Sequence, residues 1–288
     1  MIIFLKKIKN ALLTILSFIK KDLITLNNLG VLIKVFLIRT IYTYPNIREK
    51  YKENFKREIK FIQNNLALSN LDKFGFHEPE LMNSYDATNL KNKLAEKYLN
   101  ISNLNESAVQ SISNEGGRIN KVIDTKESFI KKIFYDERIL DIAKNYLRTK
   151  KLTIRGNILF STKASEASHL TLSKNAQMFH TDNDYRRFLK IFVYLNDVNY
   201  DNGPHEYVIG THKQKKSENT LIRRFDDIEI KKNYPNQIKT FIGKQGKYFF
   251  ADTFGLHKGC SVEKGYRFIL VIEYGSDLIK YHKFDNFI

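Results

Sequence analysis

The sequence predicts a mainly β protein with flanking helices, an α+β chain whose helical N-terminal region leads into a β core of the jelly-roll kind. Two contrasts carry that reading. From about residue 51 to 146, charged and apolar residues mix at helix-like spacing. From Lys151 onward, short apolar alternations are separated by turn-forming residues, as in a sandwich or barrel of short strands. Composition agrees: 288 residues with 42% hydrophobic and 13% aromatic content suffice for a real core, and 21 Phe and 16 Tyr without any Trp make it a Phe/Tyr core.

The opening, MIIFLKKIKNALLTILSFIKKDLITL, alternates apolar clusters with Lys6, Lys7, Lys9, Lys20 and Lys21. Its longest apolar stretch, 11–19, is too short to span a bilayer, and KKDLITL offers no small-residue cleavage site. Residues 1–45 therefore read as a basic amphipathic extension. It either lies on an anionic membrane surface or packs on its own domain. Residues 46–288 form the main domain, helical over 46–150 with a β core over 151–275. KENFKREIKFIQNNLAL is the clearest helix, LDKFGFHEP interrupts it, and NESAVQSISNEGGRIN around Gly116 and Gly117 reads as a loop.

In the core, KLTIRGNILFS sends Leu152, Ile154, Ile158 and Phe160 to one side, with Thr153, Arg155 and Asn157 on the other. Further strands are expected at 188–195, 205–210, 246–252 and 266–274, with a turn at Asp201-Asn202-Gly203-Pro204. The one cysteine, Cys260, excludes an internal disulfide, which points to a cytoplasmic protein, peripheral to the inner face of a membrane if residues 1–45 bind one. The net charge of +17 attracts nucleic acid or anionic lipid, but Lys is scattered along the chain as a general compositional bias would scatter it. No nucleic-acid-binding module is visible, so nucleic acid is the weakest of the three readings.

His180-Thr181-Asp182 stands just ahead of the strand at 188–195. Residues i and i+2 of extended backbone project to one side, so His180 and Asp182 can grip one ion. His257, between the strands at 246–252 and 266–274, can supply a third ligand. Two imidazoles and one carboxylate on one face leave other positions of the metal open, the arrangement of non-haem Fe(II) oxygenases. Arg267 follows inside the apolar run YRFILVIEY. An inward guanidinium needs a partner, and the far carboxylate of a dicarboxylate co-substrate would be one.

The run AQMFHTDNDYRRFLKIFVYLNDVNYDNGPHEYVIGTHK, followed by GKYFFADTFGLHKG and GYRFILV, resembles the phytanoyl-CoA dioxygenase-like (PhyH) family of Fe(II)/2-oxoglutarate-dependent oxygenases. The resemblance spans roughly 151–274. It implies a double-stranded β-helix with iron at one mouth, held by His180, Asp182 and His257, with Arg267 as the 2-oxoglutarate arginine and O2 as second co-substrate. Asn202-Gly203-Pro204 and Gly210-Thr211-His212 match further family elements. Ile209 replaces a usual Pro, Thr211 replaces Ser, and His205 stands where a bulky apolar residue is common. Halogenases of this kind exchange the carboxylate for a small residue, so Asp182 favours hydroxylation or another oxidation.

Asn157 is a further candidate for 2-oxoglutarate, with a structural bond across the barrel as the alternative. Arg155, on the same polar face, is a candidate for an anionic group of the substrate. His212 is expected to shape a loop, Cys260 has no partner cysteine or base, and a zinc site of His205, Glu206 and His212 fits no familiar spacing. The expected function is a dioxygenase that hydroxylates a small-molecule, lipid or sugar-containing substrate with release of succinate and CO2. The alternative is a binding or scaffold protein that keeps the β-helix without turnover.

Overall fold

The strand β3 (Thr153–Thr162) organises the molecule because its two faces require different neighbours. In the computed structural model, which describes residues 66–79, 84–105, 108–109, 117–164, 172, 176–182, 184–185, 187–213, 224–276 and 283–288, β3 is the partner of β11 (Tyr266–Gly275) along its whole length. The larger, seven-stranded sheet runs β1 (Phe76–His77), β9 (Tyr248–Ala251), β5 (Phe188–Tyr194), β11, β3 and β12 (Asn286–Phe287). A further strand, β2 (Arg118–Ile123), shares the outer edge of β3 with β12. The smaller, five-stranded sheet runs β7 (Arg224–Phe225), β4 (Phe179–His180), β10 (His257–Gly259), β6 (His205–Val208) and β8 (Ile238–Phe241). All pairs are antiparallel, and the two sheets face one another as a jelly roll.

Period-two alternation assigns the faces. On β11, Phe268, Leu270, Ile272 and Tyr274 pack outward with Ile154, Ile158 and Phe160 of β3 against helices. Those helices are α1 (Leu66–Phe74), α2 (Ser84–Leu94), α3 (Ser128–Phe134) and α4 (Glu137–Leu147), which contribute Leu71, Leu90, Phe134 and Tyr146 among others. Gly156 permits this closeness: a Cβ there would lie 2.7 Å from both the Phe134 ring and Ile123. The intervening residues of β11, Arg267, Ile269, Val271 and Glu273, face the smaller sheet. There Ile269 and Val271 join Phe192, Tyr194, Tyr207, Phe241 and Phe249 in a second core. A short helix, α5 (Asp227–Asn233), covers the smaller sheet through Ile230.

The strands expected at 188–195, 205–210, 246–252 and 266–274 appear as β5, β6, β9 and β11. Two local expectations are corrected. LDKFGFHEP does not break the helix at its start: α1 runs to Phe74 and ends where Gly75 takes a φ of +87°. The loop around Gly116 and Gly117 does not extend to Asn120, because Arg118 begins β2 and satisfies the otherwise open edge of β3. β2 and β12 pair with β3 from outside the span 151–275. The extension at 1–45 lies outside the described residues, among which no helix is long and apolar enough to cross a membrane.

Candidate metal centre

His180 and His257 are brought together by the pairing of β4 with β10, where they are direct cross-strand partners. Directly opposed residues share a sheet face, and the two rings stand 4.2 Å apart between centroids. Asp182 follows β4 by two residues, its position fixed by its backbone N–H donating to the Thr253 carbonyl at 2.9 Å. Its Oδ1 lies 3.6 Å from His180 Nε2 and its Oδ2 3.3 Å from His257 Nε2. One ligand atom from each of the three falls within 4.8 Å of the others. Ligand atoms about 2.1 Å from a single ion stand about 3 Å apart, so a small closure completes the set.

The imidazoles are oriented before any metal arrives. His180 Nδ1 lies 2.9 Å from the Met178 carbonyl, and His257 Nδ1 lies 3.0 Å from the Gly255 carbonyl. A carbonyl only accepts, so each Nδ1 carries the hydrogen and each Nε2 presents a lone pair to the centre. Burial, then the neighbouring His257, holds His180 well below the ordinary histidine pKa. Burial works against ionisation of Asp182, but Lys190 and then His257 hold its carboxyl well below the usual carboxylate range. Lys190 Nζ donates to Asp182 Oδ2 at 2.8 Å and to Asp184 Oδ2 at 2.7 Å. The site thus sets a neutral His180 imidazole beside an ionised Asp182 carboxylate.

Arg267 faces the interior from the start of β11, and only 3% of its surface is exposed. Nη1 donates to the Cys260 carbonyl at 3.2 Å, and among the described residues Nε has no hydrogen-bond partner and no carboxylate pairs with the guanidinium. Gly259 makes room for the guanidinium, since a Cβ there would lie 2.6 Å from Nη2. Burial pulls this arginine's pKa below its usual value. A buried guanidinium with unmet donors is a receptor for an anion, and a dicarboxylate chelating a metal at the triad fits it. Ser161, the cross-strand partner of Arg267, is also buried, its Oγ without a hydrogen-bond partner among the described residues. Arg118 occupies the next place in that row on β2, and Arg224 pairs with His180 on β7.

The remaining expected residues fall as follows. Asn157 donates to Asn120 Oδ1 at 3.0 Å, a bond between the adjacent strands β3 and β2 of one sheet and not the bond across the barrel that stood as the alternative to 2-oxoglutarate contact. Arg155 requires a correction. Instead of offering its guanidinium to a substrate anion, it lies buried between Glu273 (3.5 Å), Asp285 (3.4 Å) and the Tyr185 hydroxyl (3.0 Å), as a structural tie. His212 hydrogen-bonds the Asp72 carbonyl at 3.0 Å, and Thr211 Oγ1 accepts from the Leu256 N–H at 2.8 Å, so this turn braces the residue beside His257. His205 points inward while Glu206 lies near Lys258, so these residues and His212 do not converge. Burial pushes the Cys260 thiol up to about 12. Sequence reasoning passed over Lys190 and Ser161. The signal for Lys190 was the one that exposed Arg267, a cation inside an apolar strand; Ser161 shares the face of Arg155 and Asn157 on β3, but the apolar Leu159 between them interrupts the polar run.

Two antiparallel sheets closed over a His-Asp-His cluster define a double-stranded β-helix with a mononuclear metal centre of the facial-triad type. The family model for phytanoyl-CoA dioxygenase (PhyH) matches residues 88–249, more than half of the chain, and the protein belongs to that family. His180 and Asp182 fall inside the match; His257 and Arg267 lie beyond it and are joined to the site by the fold. Among solved structures, HygX from Streptomyces hygroscopicus with nickel and 2-oxoglutarate bound is similar, with a TM-score of 0.54 at 14% identity over 77% of this chain and 90% of that one. So is SnoK, a non-haem α-ketoglutarate-dependent carbocyclase from nogalamycin biosynthesis, with a TM-score of 0.51 at 15% identity over 74% and 84%. The epimerase SnoN, in complex with Fe3+, α-ketoglutarate and nogalamycin RO, gives 0.51 at 14% identity over 72% and 81%. No curated protein matches at the level of sequence.

Proposed function

We propose that this protein is an Fe(II)- and 2-oxoglutarate-dependent dioxygenase that hydroxylates a small-molecule, lipid or sugar-containing substrate. The observation that carries the reading is Arg267, buried, without a carboxylate partner among the described residues and with an unmet Nε–H, reaching from the larger sheet to Gly259 on the strand that carries His257. His180, Asp182 and His257 would hold the metal through Nε2, one carboxylate oxygen and Nε2. Arg267 would bind the distal carboxylate of 2-oxoglutarate. When bound, iron with 2-oxoglutarate and O2 supplies the oxidising chemistry and yields succinate and CO2. The chain's own part is to orient the co-substrate from both ends.

Asp182 favours hydroxylation because its carboxylate occupies the place a halide would need. SnoK is a carbocyclase and SnoN an epimerase on similar folds, so the fold leaves the reaction type open. A small-molecule substrate has a parallel in the HygX structure with hygromycin B bound, similar at a TM-score of 0.51. The decisive measurement is O2-dependent conversion of 2-oxoglutarate to succinate by anaerobically Fe(II)-loaded protein, beside His180→Ala and Arg267→Ala. Succinate from the wild type alone is expected. Its absence, with neither metal nor 2-oxoglutarate binding by calorimetry, would leave the scaffold reading. We further propose a cytoplasmic location at an anionic membrane face through residues 1–45. Removing them should abolish binding to anionic vesicles, and undiminished binding would refute it.

A further inference from the structure

Beside the triad and Arg267 stand two further buried polar groups, Ser161 and His205, and His205 lies nearer the metal ligands. His205 opens β6 with 4% of its surface exposed, and its Nε2 has no hydrogen-bond partner among the described residues. Its ring is walled by Phe192 at 4.5 Å and Phe249 at 5.4 Å between centroids, and it stacks on His257 at 5.4 Å with 20° between planes. An apolar side chain would fill such a wall without leaving a polar atom unpaired. Buried polar atoms of this kind mark a place where something else supplies the partner.

The pairing of strands shows where that partner would sit. The cross-strand partner of His205 is Gly259, the residue whose missing side chain accommodates the Arg267 guanidinium. His257 stands two residues before Gly259 on the same strand. His205 therefore borders the interval between the metal-facing Nε2 of His257 and the guanidinium of Arg267. Arg267 Nε and Ser161 Oγ, also buried and unpartnered, lie at the far end of that interval. All three groups can donate, and a ligand whose oxygens accept along its length would satisfy them together.

We propose that His205 binds 2-oxoglutarate directly, its Nε2–H donating to an oxygen of the co-substrate between the metal and Arg267. The inference rests on the dioxygenase reading and adds a recognition residue to it. Oxygens of a carboxylate or keto group only accept, so Nε2 carries the hydrogen in the bound state.

The test is calorimetric titration of 2-oxoglutarate into full-length Ni(II)-loaded protein, for wild type, His205→Leu, His205→Phe and His205→Gln. His205→Phe keeps an aromatic ring in the wall should the leucine variant fold poorly. Loss of the hydrogen bond should weaken 2-oxoglutarate binding about tenfold in the leucine and phenylalanine variants. His205→Gln, which retains a donor, should recover part of it, and nickel affinity should stay level throughout. Wild-type affinity in both apolar variants overturns the assignment and leaves the dioxygenase reading standing. A parallel fall in nickel affinity also overturns it, because His205 would then act through His257. If wild type binds nickel but no 2-oxoglutarate, the reading of the site fails and this inference falls with it.

Discussion

A carboxylate buried between two imidazoles stays ionised when a cation compensates it, and at Asp182 Lys190 is the first of the groups that do so. Lys190 Nζ takes Oδ2, which leaves Oδ1, 3.6 Å from His180 Nε2, for a metal. Outer groups that hold a ligand in this way typically affect metal affinity by about 10–100-fold. Lys190→Met is therefore expected to weaken Ni(II) binding at least about tenfold by calorimetry, with Lys190→Arg retaining most of it. Equal affinity in the methionine variant would show that Asp182 needs no such hold. At this scale the sequence was informative where geometry is local: His180 and Asp182 project together because they are two residues apart on extended backbone. Arg155 was misread for the opposite reason. Its partner Asp285 lies 130 positions away, and no local pattern announces that contact.

Elements aim the triad through backbone carbonyls, so a strained turn should be felt at the metal before it is felt in the core. Gly255 accepts from His257 Nδ1 and lies against Tyr207, where an added Cβ would come 2.1 Å from the hydroxyl oxygen. That hydroxyl donates to the Asp252 carbonyl at 2.9 Å, within the same turn. Gly255→Ala must displace one or the other. The expected result is a stability loss of about 1–3 kcal/mol, typical of overpacking, together with weakened nickel binding, partly restored by adding Tyr207→Phe. Full nickel affinity in the single variant would mean that His257 is held by its strand alone. The longer strands were legible because alternation over several residues is hard to mimic, as in β3, β5 and β11. The two-residue strands β1, β4, β7 and β12 exist only through their partners, and nothing in so short a run identifies them.

Across the whole molecule, the cluster around Glu273 joins the larger sheet to the C-terminal segment and makes stability respond to pH. Glu273 contacts Arg155 at 3.5 Å and Lys190 at 3.8 Å, yet burial and then Asp184 push its carboxyl up to about 7. A carboxyl whose pKa is higher folded than unfolded binds more protons in the native state between those two values. Its contribution is complete below the unfolded value of 4.5 and is lost as pH rises to about 7. His180 and His205 act in the other direction. Each is held below 6.5, first by burial, so their contribution grows as pH climbs toward that value. The wild-type profile alone would mix the two signs. The difference between Glu273→Gln and wild type isolates one, because glutamine keeps the shape without titrating. Thermal melts at pH 5 and pH 7.5 should show the variant gaining on wild type at the higher pH. A difference that stays constant over that range would mean Glu273 is ionised in the native state throughout, with Arg155 and Lys190 prevailing over burial.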